Sequence, residues 1–213
     1  AGIWIAKKRY AQWVINIEGH TVDKLDVKGI DVVRSNFPTA MRTFMAEVLK
    51  GILENKTQHA IDESILDFKD NMKTVDIGDI AKSTGVKNIE KHIFKDQDNV
   101  IELSKGAPAH VKAAVAYNNM LRRTNNTQLG EIRSGDKIKW VYLKQNPYGL
   151  GAIAFKNYDD PEVVMDFIKK YINYDMIFTR ELNNKLGAFY SAMKWGEIPT
   201  RTMRQVHKFF DFS

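Results

Sequence analysis

Past Pro38 the apolar residues of this chain stop alternating and take up helical spacing, and that change of period restricts its fold more than any other feature. Before it, Ile3, Trp4, Ile5, Tyr10, Trp13, Val14, Ile15 and Ile17 are aromatic or β-branched, so Ile3 to Ile17 reads as strand. Glu18-Gly19-His20 supplies a turn, Leu25 and Val27 alternate in a returning strand, and Ile30, Val32 and Val33 suit a further short one. A strand beginning at Ile3 with no earlier partner reads as a piece of sheet cut from something larger. Beyond it, Pro38 suits the first position of a helix in which Met41, Phe44, Met45, Val48, Leu49, Ile52 and Leu53 recur at threes and fours. A second helix is expected from about Gln58 to Met72 with Ile61, Ile65, Leu66 and Phe68 inward.

From Val75 to Lys95 the chain is polar and broken by Gly78 and Gly85, which predicts a loop around Ala81-Lys82-Ser83-Thr84. A helix of small residues follows Lys105-Gly106-Ala107-Pro108 and runs from Ala109 to about Arg123. Gly135-Asp136 turns into an alternating strand, Lys137 to Leu143, whose exposed positions are Lys; Ala152 to Phe155 is its partner across Asn146-Pro147-Tyr148-Gly149. Asp160-Pro161 reads as the cap and first turn of a helix to about Tyr171. The last long helix, near Tyr174 to Trp195, carries Leu182, Leu186, Phe189, Tyr190 and Met193 on one stripe. The expected class is α+β: a mostly helical body with a small β-sheet, preceded by a β-hairpin fragment.

Composition narrows the chemistry. The 213 residues include no Cys, which removes disulfides, thiol nucleophiles and thiolate metal sites together and leaves the redox compartment open. No apolar run approaches the roughly 20 residues of a membrane span and no secretory leader is visible, so no membrane partner is expected and the location read is the cytoplasm, of the host cell for a viral chain. Net charge is +6, and from Lys105 to Lys144 eight basic residues stand against Glu131 and Asp136, a surplus equal to the whole. Charge segregated in this way suits a polyanion, and also an ordinary solvated face.

Several catalytic readings fail on residue type. Gly130 and Gly135 have phosphate-loop spacing, but Asp136 stands where the loop needs a Lys, so a turn before a strand is the better reading. His20, His59, His92, His110 and His207 show no ligand spacing, and Asp159-Asp160 precede Pro161, which favours helix capping over paired metal ligands. No catalytic residue, metal site or cofactor is expected in this chain.

Binding residues are easier to find. Lys7-Lys8-Arg9-Tyr10 put three cations and a phenol on strand-like sequence, alternation sending Lys8 and Tyr10 to one face and Lys7 and Arg9 to the other. A cation beside a hydroxyl suits phosphate and minor-groove contacts in which the Tyr O–H donates; a basic edge strand that discourages aggregation has the same composition. Lys82, Ser83, Thr84 and Lys87 offer hydroxyls and charge for phosphate oxygens, and equally suit a polar turn. Ala113, Ala114 and Ala116 let something approach the following helix closely: a duplex met by His110, Lys112 and Asn119, with Val111, Val115 and Met120 inward, or simply a neighbouring element.

The order of these landmarks resembles family B DNA polymerases of the T-even-like bacteriophages. Lys7-Lys8-Arg9-Tyr10 with the Ile17-Glu18-Gly19 turn resembles the Lys-x-Tyr segment at the end of their palm. Lys24-Leu25, Lys28-Gly29, a Pro-initiated helix, Ser83-Thr84, Lys105 to Asn119, Gly135-Asp136-Lys137, Asn146-Pro147-Tyr148-Gly149 and a closing Phe-Asp-Phe follow in sequence.

The resemblance implies residues 1–35 as the end of the palm, 36–198 as the thumb and 199–213 as a clamp-binding tail. It implies that Lys8 and Tyr10, with Lys7 and Arg9, hold primer–template duplex DNA, and that Lys82, Ser83, Thr84, Lys87, His110, Lys112, Asn119 and Lys137 grip the product duplex. Phe209, Phe210, Asp211 and Phe212 resemble the peptide that docks on a sliding clamp. In such enzymes two palm aspartates holding two magnesium ions precede the Lys-x-Tyr segment. This chain has only six residues there, so it is expected not to polymerise DNA alone, and an N-terminal polymerase chain is an expected partner. A non-catalytic DNA-binding or clamp-binding adaptor is the competing reading, and a stand-alone nuclease is disfavoured by the lack of a carboxylate cluster.

Overall fold

A computed structural model describes residues 2–30, 36–126 and 130–200. The elements in order are β1 (Gly2–Ala6), β2 (Arg9–Ile17), β3 (His20–Lys28), α1 (Thr39–Leu53), α2 (Gln58–Asn71), α3 (Ile77–Ile80), β4 (Lys82–Gly85), β5 (Ile93–Gln97), β6 (Val100–Leu103), α4 (Ala109–Arg123), β7 (Lys137–Tyr142), β8 (Ala152–Phe155), α5 (Glu162–Tyr171), α6 (Tyr174–Phe178) and α7 (Asn184–Met193). The class is α+β, with small antiparallel sheets. The chain forms two compact units: one of residues 1–76 and 178–213, the other of residues 77–177.

In the first unit β1, β2 and β3 form an antiparallel meander. Ile3 to Ile17 is not one strand, because Lys7 and Lys8 turn the chain back on itself, Lys8 with φ of +65°. Glu18 and Gly19 make the second turn with φ of +51° and +89°, the doubly left-handed geometry that matches the twist of a two-residue hairpin. The Asn16 side-chain oxygen accepts from the Gly19 N–H at 2.9 Å. Gly29 is required for a different reason: its φ is +68°, and a Cβ there would stand 2.2 Å from the Lys8 carbonyl oxygen. Ile30, read as part of a short strand, is buried outside any strand, and Val32 and Val33 lie outside the described residues.

The helical period of α1 places all seven of its expected apolar residues in the core, with Pro38 at the N-cap, one position before the first turn. Thr57 caps α2 by accepting from the Ala60 N–H at 3.3 Å, and Phe68 stacks on Phe44 with centroids 4.1 Å apart. The predicted continuous helix from Tyr174 to Trp195 is instead α6, a π-helical turn over Thr179–Asn183, and α7, which ends where Lys194 adopts φ of +56°. Its apolar stripe survives the interruption: Leu182, Leu186, Phe189 and Tyr190 are buried.

In the second unit the sheet order is β4-β7-β8. The loop expected around Lys82 is therefore an edge strand, because the β7 backbone supplies hydrogen bonds that the local sequence does not advertise. The hairpin β5–β6 also escaped the sequence reading. Helix α4 packs on β8, and Ala113, Ala114 and Ala116 are all buried, so the approach these small residues permit is used by the protein's own sheet. Asp160 does not cap α5; its carboxylate accepts from the Lys156 and Asn157 N–H groups, both at 2.7 Å, and Pro161 holds the N-cap.

Candidate nucleic-acid interface

Strand register decides which of the candidate residues can act together. In the first sheet Trp4 pairs Tyr10 and Tyr10 pairs Lys28, while Gln12 pairs Asp26 and Val14 pairs Lys24. Directly opposed residues share a face, so Trp4, Tyr10, Lys28, Gln12, Asp26 and Lys24 line one side of the meander. Ile3, Ala11, Val27, Trp13 and Leu25 line the other. The first side is open: Trp4 is 67% exposed, and Lys28 stands over the Tyr10 ring, 6.0 Å from its centroid. The Tyr10 O–H donates to Asp26 Oδ2 at 3.3 Å, and Gln12 Nε2 donates to the same oxygen at 3.1 Å.

Lys7 and Lys8 do not alternate across this sheet, since both sit in its turn. They are exposed, as is Arg9 at the start of β2. Arg9 also borders a groove of about 220 Å³ with Gly29, Asn184 and Lys185. Lys185 stands 4.8 Å from the Phe37 ring centroid and donates to the Glu181 carbonyl at 2.6 Å. Trp4, Lys24, Lys28, Asn184 and Lys185 were not among the binding residues expected from sequence. Alternation could have found the first three once the turn at Lys8 was recognised; nothing local could have found the last two.

The second sheet gathers residues that are more than fifty positions apart. Lys82 pairs Trp140, Ser83 pairs Lys139, Thr84 pairs Ile138 and Gly85 pairs Lys137. Lys137, Lys139 and Ser83 therefore share one face, and Lys82 and Thr84 the other. On that second face Thr84 Oγ1 accepts from Trp140 Nε1 at 3.2 Å, and Lys82 lies over the Trp140 ring at 5.3 Å. Lys87 follows β4 and is exposed, as are Lys112 on α4 and Lys137. Lys139 is half-buried, its ammonium donating to the Gly78 carbonyl at 2.7 Å.

His110 lies in the first turn of α4. Partial burial, then the charges of His92 and Lys82, hold its imidazole below the usual histidine range, so the neutral ring is favoured until an anion arrives. His92 was passed over in the sequence because it has no ligand spacing. Asn119, grouped there with duplex-facing residues, has both amide atoms engaged by β6: it accepts from Ile101 N–H at 2.7 Å and donates to Ile101 O at 3.0 Å. Asn118 makes the same double bond to Ile132, at 2.7 and 2.9 Å.

Not every cation in the basic stretch faces solvent alone. Arg122 makes a bidentate pair with Glu131, a further bond to Asp96 and one to the Gln97 carbonyl at 2.8 Å. Hydrogen bonds to Glu131 and Asp96 push the guanidinium above its ordinary range, and the contact fastens α4 to the β5–β6 hairpin. The Gly130–Gly135 segment is the turn expected, closed by Asp136 Oδ2 accepting from the Arg133 N–H at 2.9 Å. Phe209, Phe210, Asp211 and Phe212 lie outside the described residues.

Among the described residues no group of three or more His, Asp or Glu side chains is placed to hold a metal ion, and no helix is long and apolar enough to cross a membrane. These features define an α+β protein with cation-rich strands and an open aromatic sheet face. Residues 2–189 match the family model for DNA polymerase family B, and the chain belongs to that family. Among curated proteins none matches the chain. A family B polymerase domain implies binding of a DNA substrate.

Proposed function

We propose that this chain is the C-terminal part of a family B polymerase of the T-even-like bacteriophage type, comprising the palm end (residues 1–35), the thumb (36–198) and a clamp-binding tail (199–213). It holds primer–template duplex DNA by the sugar–phosphate backbone, while the carboxylates and magnesium ions for bond formation belong to another segment or a partner chain. The observation that carries this reading is the β4–β7 register, which sets Ser83 on one face with Lys137 and Lys139, more than fifty positions away in the chain. The exposed ammonium groups of Lys87, Lys112 and Lys137, with the Ser83 hydroxyl, suit phosphate oxygens and carry no base information. On the first sheet the turn Lys7-Lys8, Arg9 and Tyr10 form a second contact region, in keeping with the Lys-x-Tyr resemblance.

The test is fluorescence anisotropy of the 213-residue chain with a labelled primer–template duplex over a salt series. Log K is expected to fall with log salt by about 0.9 for each phosphate contacted. Replacing the exposed Lys87, Lys112 and Lys137 together by Ala is expected to lower that slope by roughly two to three and to weaken all sequences alike. Salt-insensitive binding, or affinities that differ more than about a hundredfold between sequences, would overturn the reading.

A further inference from the structure

Helix α5 carries two apolar stripes and buries one. Val164 and Ile168 are in the core, while Val163, Phe167 and Tyr171, spaced by fours, form a second stripe on which Val163 stays 42% exposed. That stripe continues into Tyr148, which precedes β8: the Tyr148 and Phe167 ring centroids are 5.6 Å apart, and those of Phe167 and Tyr171 4.8 Å. A cation stands at each end, Arg123 at 5.1 Å from the Tyr148 centroid and Lys170 at 5.4 Å from that of Tyr171. Both cations are exposed, and neither joins an ion pair among the described residues. Val163, Phe167 and Tyr148 enclose, with Ala116 and Met120 of α4, a pocket of about 90 Å³. It shares Ala116, Asn119 and Leu150 with a wider groove of about 400 Å³.

The lining selects its occupant. A nucleobase would bring polar edges against an Asn119 amide and a Thr124 hydroxyl already bonded to Ile101 and Met120, and burying those edges unpaired is costly. A second copy of the chain would set the same cations against each other. A bulky apolar side chain meets neither penalty. No Asp or Glu lines the pocket or the groove, so carboxylates arriving beside that side chain meet only Arg123 and Lys170.

We propose that this pocket is a docking site for a peptide segment of a partner protein, one that carries a single leucine or phenylalanine between acidic residues. The apolar side chain fills the pocket, and the flanking carboxylates pair with Arg123 and Lys170. Tyr, Phe, Met and Arg, which build the site, are residue types enriched at protein interfaces. The proposal is independent of the DNA-binding reading above.

The test selects peptides from a random displayed library on the full 213-residue chain and measures those recovered by fluorescence anisotropy. They are expected to carry one leucine or phenylalanine flanked by Asp or Glu. The double variant Tyr148→Ser with Val163→Ser alters two exposed positions and no charge. It is expected to weaken these peptides about tenfold or more, and to leave thermal unfolding by circular dichroism and affinity for a duplex unchanged. Arg123→Gln is expected to weaken them about threefold and to reduce their salt dependence. Exchanging the apolar residue of a selected peptide for Ser is expected to match the double variant without altering the protein. Recovery of no peptide, or of basic ones, overturns the proposal, as does binding that survives both protein variants. Loss of duplex affinity in the folded double variant assigns the groove to nucleic acid, and a dimer in light scattering that this variant abolishes assigns it to a second copy; either result overturns the proposal.

Discussion

Asn118 is the most informative residue to change. It is 2% exposed on α4, and its amide closes both hydrogen bonds of the Ile132 backbone at 2.7 and 2.9 Å. In Asn118→Ala the Ile132 N–H and C=O lose their only side-chain partner, and Ile132 is itself 2% exposed, so water cannot readily replace it. Leaving a buried donor or acceptor unmade costs about 1–3 kcal/mol each, which puts the expected loss at about 3–5 kcal/mol with the small cavity included. For a unit of residues 77–177 that corresponds to a fall in Tm of roughly 12–30 °C, read by calorimetry or circular dichroism. Asn119→Ala removes the equivalent pair from Ile101, which is 5% exposed, but the half-buried Asn119 side chain leaves water a route to those groups once it is gone, and about 1 kcal/mol is expected. Asn118→Asp keeps the acceptor for Ile132 N–H and sets a carboxylate against the Ile132 carbonyl. Protonation restores a donor, so this variant is expected to regain stability as pH falls. A loss below about 1 kcal/mol in Asn118→Ala, or equal losses at both positions, would refute the claim that burial of the pair, not the pairing itself, sets its worth.

Two further outcomes are expected. His110 is held below its ordinary value of 6.5, so the unfolded chain binds more protons near and below that pH; stability is full above it and is lost as pH falls through the folded value. Duplex phosphate favours the protonated ring, so DNA affinity is expected to rise as pH is lowered from about 7 toward 6, and His110→Gln to flatten that dependence in anisotropy titrations. Deleting Phe209 to Ser213 is expected to abolish binding to a sliding clamp in pull-down or surface plasmon resonance while sparing DNA binding; loss of both would favour the tail as part of the DNA-binding surface.

Helix positions were legible because burial repeats at a period that a single sequence displays. Met41 through Leu53 in α1 and Leu182 through Tyr190 across the π-helical turn fell where spacing put them. The Glu18-Gly19 turn was legible for a related reason, since its backbone needs residues that tolerate positive φ. The Lys7-Lys8 turn was hidden because neither residue type advertises a turn, and β4 because Lys82 to Gly85 becomes a strand only beside β7. Asp160 misled for the opposite reason: a cap signature was present, but the carboxylate found the Lys156 and Asn157 amides first.

By itself, then, the sequence determined where helices run, which residues they bury, and that thiol chemistry is absent, because periodicity and composition are local quantities. Tertiary structure alone decided that Arg122 is spent on Glu131 and Asp96 and that Tyr10 donates its proton to Asp26. Those contacts join residues between 9 and 26 positions apart in the chain, and pairings at such distances are fixed by strand register and packing rather than by any signal a short window can carry.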